Sequence, residues 1–316
     1  MPLIEVRDLE RTFVVRKRAG GMRRTRTEVR AVHDLTFSIE PGEMVGYIGP
    51  NGAGKSTTIN MRTGILVPTA GHLRVAGMEP SRHRTELARR IGVVFGQRTT
   101  LWWDLPLHDS FELLQKIYGI PTDRYRANLV KYVELLDLGD LLDTPVRQLS
   151  LGQRMRGDIA AALLHDPEIL YLDEPTIGLD VVSKGRLREF LRTLNAERGT
   201  TLLLTTHDLQ DIEALCRRVM VIDHGTLVFD GSLPELHALG GDGRTLVVDL
   251  IDEGPPIEVP GATVRKVEGP RQWLSFPADA SAAPVVAAVA ASYDVADLSI
   301  QEPAIEDVIR KLYDRR

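Results

Sequence analysis

The sequence predicts an α/β protein: an open-sheet core with an antiparallel β subdomain, a helical insertion and a small C-terminal α+β domain. Three observations carry that prediction. Met44-Val45-Gly46-Tyr47-Ile48 is a buried-strand pattern that leads through glycine into a helix from about Lys55. Ile169-Leu170-Tyr171-Leu172 and Thr201-Leu202-Leu203-Leu204-Thr205 repeat the pattern, each followed by polar residues, as expected where an open α/β sheet meets a ligand. Helical periodicity dominates residues 105–164, as in Phe111-Glu112-Leu113-Leu114 and again from Leu129 to Leu136.

The remaining elements follow in chain order. Alternation in Leu3-Ile4-Glu5-Val6 and in Leu35-Thr36-Phe37-Ser38-Ile39 reads as two antiparallel strands. Between them lies a basic stretch, residues 16–30, around the turn signal Gly20-Gly21. A solvated hairpin is one reading of it; contact with anionic headgroups or with a partner is the other. After about Gly231 the texture changes, with Pro255, Pro256, Pro260, Pro270, Pro277 and Pro284 punctuating short β-like runs such as Leu246-Val247-Val248-Asp249-Leu250. A helix from about Ala304 to Tyr313 closes the chain. The expected division is therefore 1–235 and 236–316, with the helical subdomain at about 98–164. No internal repeat is visible.

Composition narrows the function classes. The 316 residues are 43% hydrophobic with a net charge of −5, which argues against a sequence-independent nucleic-acid binder. Cys216 is the single cysteine, so no disulfide framework or cysteine-rich metal site exists, and its apolar neighbours mark it as a buried thiol. The opening MPLIEVRDLE lacks the order of a signal peptide. The longest apolar run, residues 282–291, is about half of a membrane span. A cytoplasmic protein that reaches a membrane only through a partner is expected.

Gly49-Pro50-Asn51-Gly52-Ala53-Gly54-Lys55-Ser56-Thr57 satisfies G-x-x-x-x-G-K-[ST] and stands between a strand and a helix, the context that confirms a P-loop. Its glycines let successive N–H groups point at phosphate oxygens, Lys55 adds a positive charge, and Ser56 offers a hydroxyl to Mg²⁺. The strand ending in Asp173-Glu174 supplies the second half. Asp173 is placed to serve the metal side, and Glu174 to polarise an attacking water as a general base.

Further segments, in the same order along the chain, resemble the ABC ATPase family over about residues 1–235. Gly96-Gln97 looks like the Q-loop, Leu149-Ser150-Leu151-Gly152-Gln153 like the signature motif, Gly178-Leu179-Asp180 like the D-loop and Thr206-His207-Asp208 like the switch-histidine segment. The resemblance implies a P-loop NTPase (RecA-like) core that binds ATP and Mg²⁺. Gln97 would then link Mg²⁺ to the transport partner, and Ser150, Gly152, Gln153 and Asp180 would belong to the nucleotide site. Glu174, His207, Lys55 and Gln97 would carry the catalysis. Phe13 matches the aromatic on which such proteins stack adenine, the alternative being a plain core residue. Leu151 departs from the family's usual glycine and must aim its side chain away from the nucleotide.

The resemblance also implies partners. In this family a P-loop and a signature motif of one chain close on different ATP molecules, so two copies are expected head to tail. The spelling LSLGQRMR, with Trp102-Trp103-Asp104-Leu105-Pro106 after the Q-loop, resembles the type-2 drug, cation and sodium exporter branch. That implies an export motor on a separate type-2 permease at the inner face of the cell membrane. Trp102 and Trp103 would face the permease, burial in the helical subdomain being the alternative. A soluble ABC ATPase acting on the ribosome is the competing function, and a regulatory module without turnover is a third. The closing stretch Ile300-Gln301-Glu302-Pro303-Ala304-Ile305-Glu306-Asp307-Val308 resembles the end of the same exporter branch, where the small domain supports dimerisation or regulation.

Overall fold

The computed structural model describes residues 1–18, 24–96, 98–206, 208–239, 243–277, 280–301 and 305–314. The chain divides into two compact units, Met1–Asp230 and Gly231–Arg316.

The first unit holds two sheets. β1 (Ile4–Arg18), β2 (Arg24–Ile39) and β4 (Ala70–Val75) form an antiparallel sheet in the order β2-β1-β4. The hairpin expected of the basic stretch is present, and its described residues lie on one long ribbon: β1 and β2 stay paired as far as Arg18 opposite Arg24, well beyond the apolar alternation that marked each strand. Beyond the core this ribbon exposes Val14, Val15 and Val29, so cross-strand hydrogen bonding rather than burial holds it.

The second sheet runs β5-β6-β7-β3-β8-β9. Its strands are β3 (Met44–Ile48), β5 (Ile91–Phe95), β6 (Ile169–Asp173), β7 (Thr201–Thr205), β8 (Arg218–Asp223) and β9 (Thr226–Ser232). The first five pair in parallel, and near-continuous apolar runs such as ILYL and TLLL suit strands covered on both faces. In-register pairing puts Phe95, Asp173 and Thr205 side by side at the carboxyl edge. One core joins the two sheets, with Ile4, Leu9, Leu35 and Ile39 packed with Val45, Tyr47, Tyr171 and Leu203.

Helices α1 (Lys55–Arg62), α2 (Arg84–Ala88), α6 (Val181–Arg198) and α7 (Leu209–Leu215) connect these strands. The predicted helical insertion contains α3 (Leu107–Tyr118), α4 (Thr122–Leu135) and α5 (Leu151–Leu163). Gly157 lets α5 approach closely: a Cβ there would lie 3.1 Å from Leu107 Cδ1 and 3.2 Å from Leu101 Cδ1.

Arg62, in the last turn of α1, is fully buried, and its guanidinium makes no ion pair with a carboxylate among the described residues. It sits 4.7 Å from the Tyr47 ring centroid and 5.1 Å from that of Phe37. Ring faces therefore replace the carboxylate that a buried cation usually finds.

Cys216, just past α7, is buried, and burial pushes its thiol up to about 12 from an ordinary 9.0, the nearby Asp211 charge adding to the effect. The unfolded chain ionises first, so stability carried by the neutral thiol is complete below pH 9.0 and is lost as pH rises toward about 12. In that window the thiol is expected to cost about 1.4 kcal/mol per pH unit. Urea midpoints of wild type and Cys216→Ala at rising pH check this: the two should converge, and parallel curves would refute it.

The second unit is α+β. β10 (Arg244–Leu250), β11 (Thr263–Glu268), β12 (Arg271–Phe276) and β13 (Val295–Gln301) form an antiparallel sheet in the order β11-β12-β10-β13. It also holds α8 (Leu233–Ala238), α9 (Ala282–Ser292) and α10 (Ile305–Asp314). Its own core combines Leu246, Val248 and Leu274 with Val285 and Val289 of α9. The apolar run 282–291 is thus a packed 11-residue helix. Among the described residues no helix is long and apolar enough to cross a membrane.

Candidate active site

The P-loop is shaped by what presses on it. A Cβ on Gly49 would stand 2.2 Å from the Ile222 carbonyl oxygen, and one on Gly54 would stand 2.6 Å from that of Ala31. Gly54 also has a φ of 103°, which side chains rarely adopt. Gly54 caps α1 without a side-chain hydrogen bond, so the first amides of the helix remain available to an anion. Lys55 folds back over the loop, its Nζ donating to the carbonyls of Gly49 and Pro50. Burial lowers its pKa, while the charges of Glu174 and Asp173 oppose that shift. The ammonium is thus partly stripped of water yet held beside two carboxylates.

Lys55, Ser56, Thr57, Asp173 and Glu174 converge on a cleft of about 610 Å³, which Pro50, Asn51, Gly52 and Gly54 also line. Ala53, within the same motif, is buried instead, and its carbonyl accepts from Gly225 N–H at 2.9 Å. Asp173 ends β6 and accepts a hydrogen bond from the Thr205 hydroxyl. Glu174 turns sharply away with a φ of 54°, a conformation strained for a side-chain-bearing residue. Its N–H is held by the Thr205 carbonyl at 2.8 Å. Gly96 completes this corner: a Cβ there would lie 2.6 Å from Asp173 O and 2.9 Å from Glu174 Cβ. Gln97 and His207 lie outside the described residues.

The sequence reading missed Arg98. It lines the same cleft and makes no ion pair among the described residues. Its one mark in the sequence is a basic residue directly after the Gln97 position.

The cleft suits Mg²⁺ by the chemistry of its donors. Among the described residues no group of three His, Cys, Asp or Glu side chains is arranged to hold a metal ion by itself. What the cleft offers is hard oxygen, the Ser56 hydroxyl and the Asp173 carboxylate. Mg²⁺ is held in that way, by one or two protein oxygens while phosphates and waters complete its shell.

Other predicted residues stand outside the cleft. Phe13 is half-buried, with the Arg11 guanidinium over its ring at 4.6 Å. Ser150 caps α5 in a reciprocal box: its hydroxyl accepts from Gln153 N–H at 3.2 Å, and Gln153 Oε1 accepts from Ser150 N–H at 2.8 Å. Asp180 caps α6, accepting from Ser183 N–H at 2.9 Å, and that amide chiefly holds its carboxyl below the usual range. Leu151 lies against the D-loop segment. A Cβ on Gly178 would be 2.5 Å from Leu151 Cδ2, while a Cβ on Gly152 would be 2.9 Å from Leu179 Cδ2. Two leucines thus rest on each other's glycines.

Comparison with known proteins agrees with this geometry. Residues 32–177 match the family model described as ABC transporter. The ATP-binding protein NatA of Bacillus subtilis is 33% identical over 235 residues, which cover 74% of this chain and 92% of NatA. The chain belongs to the ABC transporter ATP-binding proteins. Other relatives of this ABC protein carry export or resistance names. The daunorubicin resistance ATP-binding protein DrrA3 of Streptomyces coeruleorubidus is 33% identical, covering 90% of this chain and 91% of DrrA3. The Nod factor export ATP-binding protein I of Ralstonia nicotianae is 38% identical over 70% of this chain and 69% of its own length. Among solved structures, the dimeric post-hydrolysis state of the ATP-binding cassette MJ0796 with ADP and Pi superposes with a TM-score of 0.64 at 26% identity. It covers 73% of this ABC protein and 98% of the cassette.

Proposed function

We propose that this chain is the ATP-hydrolysing motor of an export system, working as a head-to-tail pair of copies on a separate type-2 permease at the inner face of the cell membrane. Residues 1–235 would form the ATPase domain and 236–316 an accessory domain.

One observation carries the reading. The cleft gathers Lys55, Ser56, Asp173 and Glu174 but none of Ser150, Gly152, Gln153 and Asp180. A cleft that lacks the residues the family sets against the γ-phosphate is half a site, and a second copy supplies the other half. The dimeric form of the MJ0796 cassette supports that arrangement, and the export names of the relatives favour transport over a ribosomal target.

The roles follow from placement. Residues 49–55 bind the triphosphate through backbone amides and the Lys55 ammonium. Ser56 and Asp173 would hold Mg²⁺, which supplies charge neutralisation on the phosphates. Glu174, at the rim of the cleft, takes the proton of the attacking water. His207 and Gln97 would complete the site at the ends of β7 and β5.

Gel filtration of the Glu174→Gln protein tests the pairing. ATP should convert monomer to dimer, and a monomer at saturating ATP would overturn the reading.

Trp102 and Trp103 bear on the partner. They are 37% and 50% exposed, which removes the reading that buries them in the helical subdomain. Trp103 is held in place by its carbonyl, which accepts from Arg147 N–H at 2.9 Å, and by Arg154 of α5, 5.4 Å from its ring centroid. Anchored, exposed aromatics of this kind dominate binding surfaces. Trp103→Ala is expected to weaken association with the permease by about 2 kcal/mol or more, read as loss of copurification from membranes. The unfolding midpoint should stay near wild type; full copurification would remove Trp103 from the interface.

A further inference from the structure

We propose that Asp211 is a positioning residue for ATP hydrolysis, setting the register of the three segments that carry Glu174, Asp180 and His207. The proposal rests on the hydrolysis reading above. Asp211 lies in α7, and its carboxylate is fully buried. Oδ2 accepts from the Thr176 hydroxyl at 2.6 Å and from the Thr206 hydroxyl at 3.5 Å. Oδ1 accepts from Arg188 Nε at 2.6 Å.

Each donor belongs to a different stretch of the site. Thr176 stands two residues beyond Glu174, in a turn where Ile177 N–H donates to Glu174 O and Leu179 N–H to Thr176 O, both at 3.2 Å. Thr206 immediately precedes His207. Arg188 lies about two turns along α6 from its cap, Asp180. The segments just beyond β6 and β7 and the middle of α6 are thus tied to one group. A second pair repeats the tie, since Lys184 Nζ of α6 donates to Asp208 Oδ2 at 2.5 Å.

A carboxylate suits this task because it only accepts and can satisfy several converging donors at once. Its bonds to charged and hydroxyl donors are short and directional in a buried setting. Among the described residues, none of these bonds reaches residues 49–57. Phosphate binding and the placing of Glu174 and His207 are therefore separable. A displacement of about 1 Å in a reacting group can cost about 100-fold in rate without altering substrate affinity.

The test uses the full chain: wild type, Asp211→Asn, Asp211→Glu and Thr176→Val. Steady-state Mg²⁺-ATPase kinetics, binding of a fluorescent ATP analogue and the unfolding midpoint are measured for each. Asp211→Asn and Thr176→Val are expected to lower kcat by about ten- to a hundred-fold. KM and analogue affinity should stay within about two-fold, the pattern of a lost transition-state arrangement. Asp211→Glu should recover part of kcat. Wild-type kcat in a folded Asp211→Asn protein, or a KM that rises as kcat falls, would overturn the proposal. Should Asp211→Asn not fold, Thr176→Val decides, since it keeps the Arg188–Asp211 pair; unchanged kcat there also overturns it. A wild-type chain without turnover would overturn the hydrolysis reading and the proposal with it, whereas active wild type with indifferent variants overturns the proposal alone.

Discussion

Glu174→Gln is expected to cut ATP turnover by about 10²- to 10⁴-fold while leaving nucleotide affinity intact. The backbone makes this variant informative. Glu174 is fixed by its N–H bond to Thr205 O and by the close face of Gly96, and neither contact involves the carboxylate. Glutamine has the same length and shape, so the strained turn at φ 54° persists, while the negative charge beside Lys55 and with it the proton acceptor are lost. Unhydrolysed ATP would continue to join two copies, so loss of turnover and gain of dimer should appear together. Phosphate release at the wild-type rate would remove Glu174 from the role of general base.

Lys55→Met should act on the other side of the reaction, at binding. In the free protein the Lys55 ammonium is bonded to the carbonyls of Gly49 and Pro50 and sits within the influence of Asp173 and Glu174. Arriving phosphates would exchange those neutral carbonyl partners for charged oxygens. Charge-assisted bonds contribute about 1.5–3 kcal/mol each, so removal of the ammonium should weaken ATP binding by about 10- to 150-fold. Methionine keeps the apolar stem and helix propensity at the start of α1. Titration with a fluorescent ATP analogue reads the effect, and an unchanged Kd would place the phosphates elsewhere than in the loop.

What the sequence revealed was local, and what it hid was long-range. The P-loop residues and the Asp173-Glu174 pair are contiguous stretches whose spacing encodes their geometry, and the structure gathers all of them but Gly49 and Ala53 along one cleft. No neighbour in the sequence announces that β3 pairs with both β7 and β8, or that Gly96 must be bare because the Asp173–Glu174 corner presses on it. Arg98 lacked an apolar period or a motif to mark it. Arg62 misleads in the opposite direction, since a basic residue in the last turn of a helix ordinarily reads as solvated, yet it is enclosed by rings from β2 and β3. The hairpin around residues 16–18 and 24–26 was legible from its turn signal, but the length of its strands was not, because charged residues give no alternation of burial from which to extend a strand.

The contact between Leu151 and Gly178 couples the first turn of α5 to the D-loop segment. A Cβ at 178 would stand 2.5 Å from Leu151 Cδ2, and Gly178 also holds a φ of 74°, which side chains rarely adopt. Space and backbone conformation both keep 178 bare, so trimming the leucine would lift only the first constraint and leave the second in force.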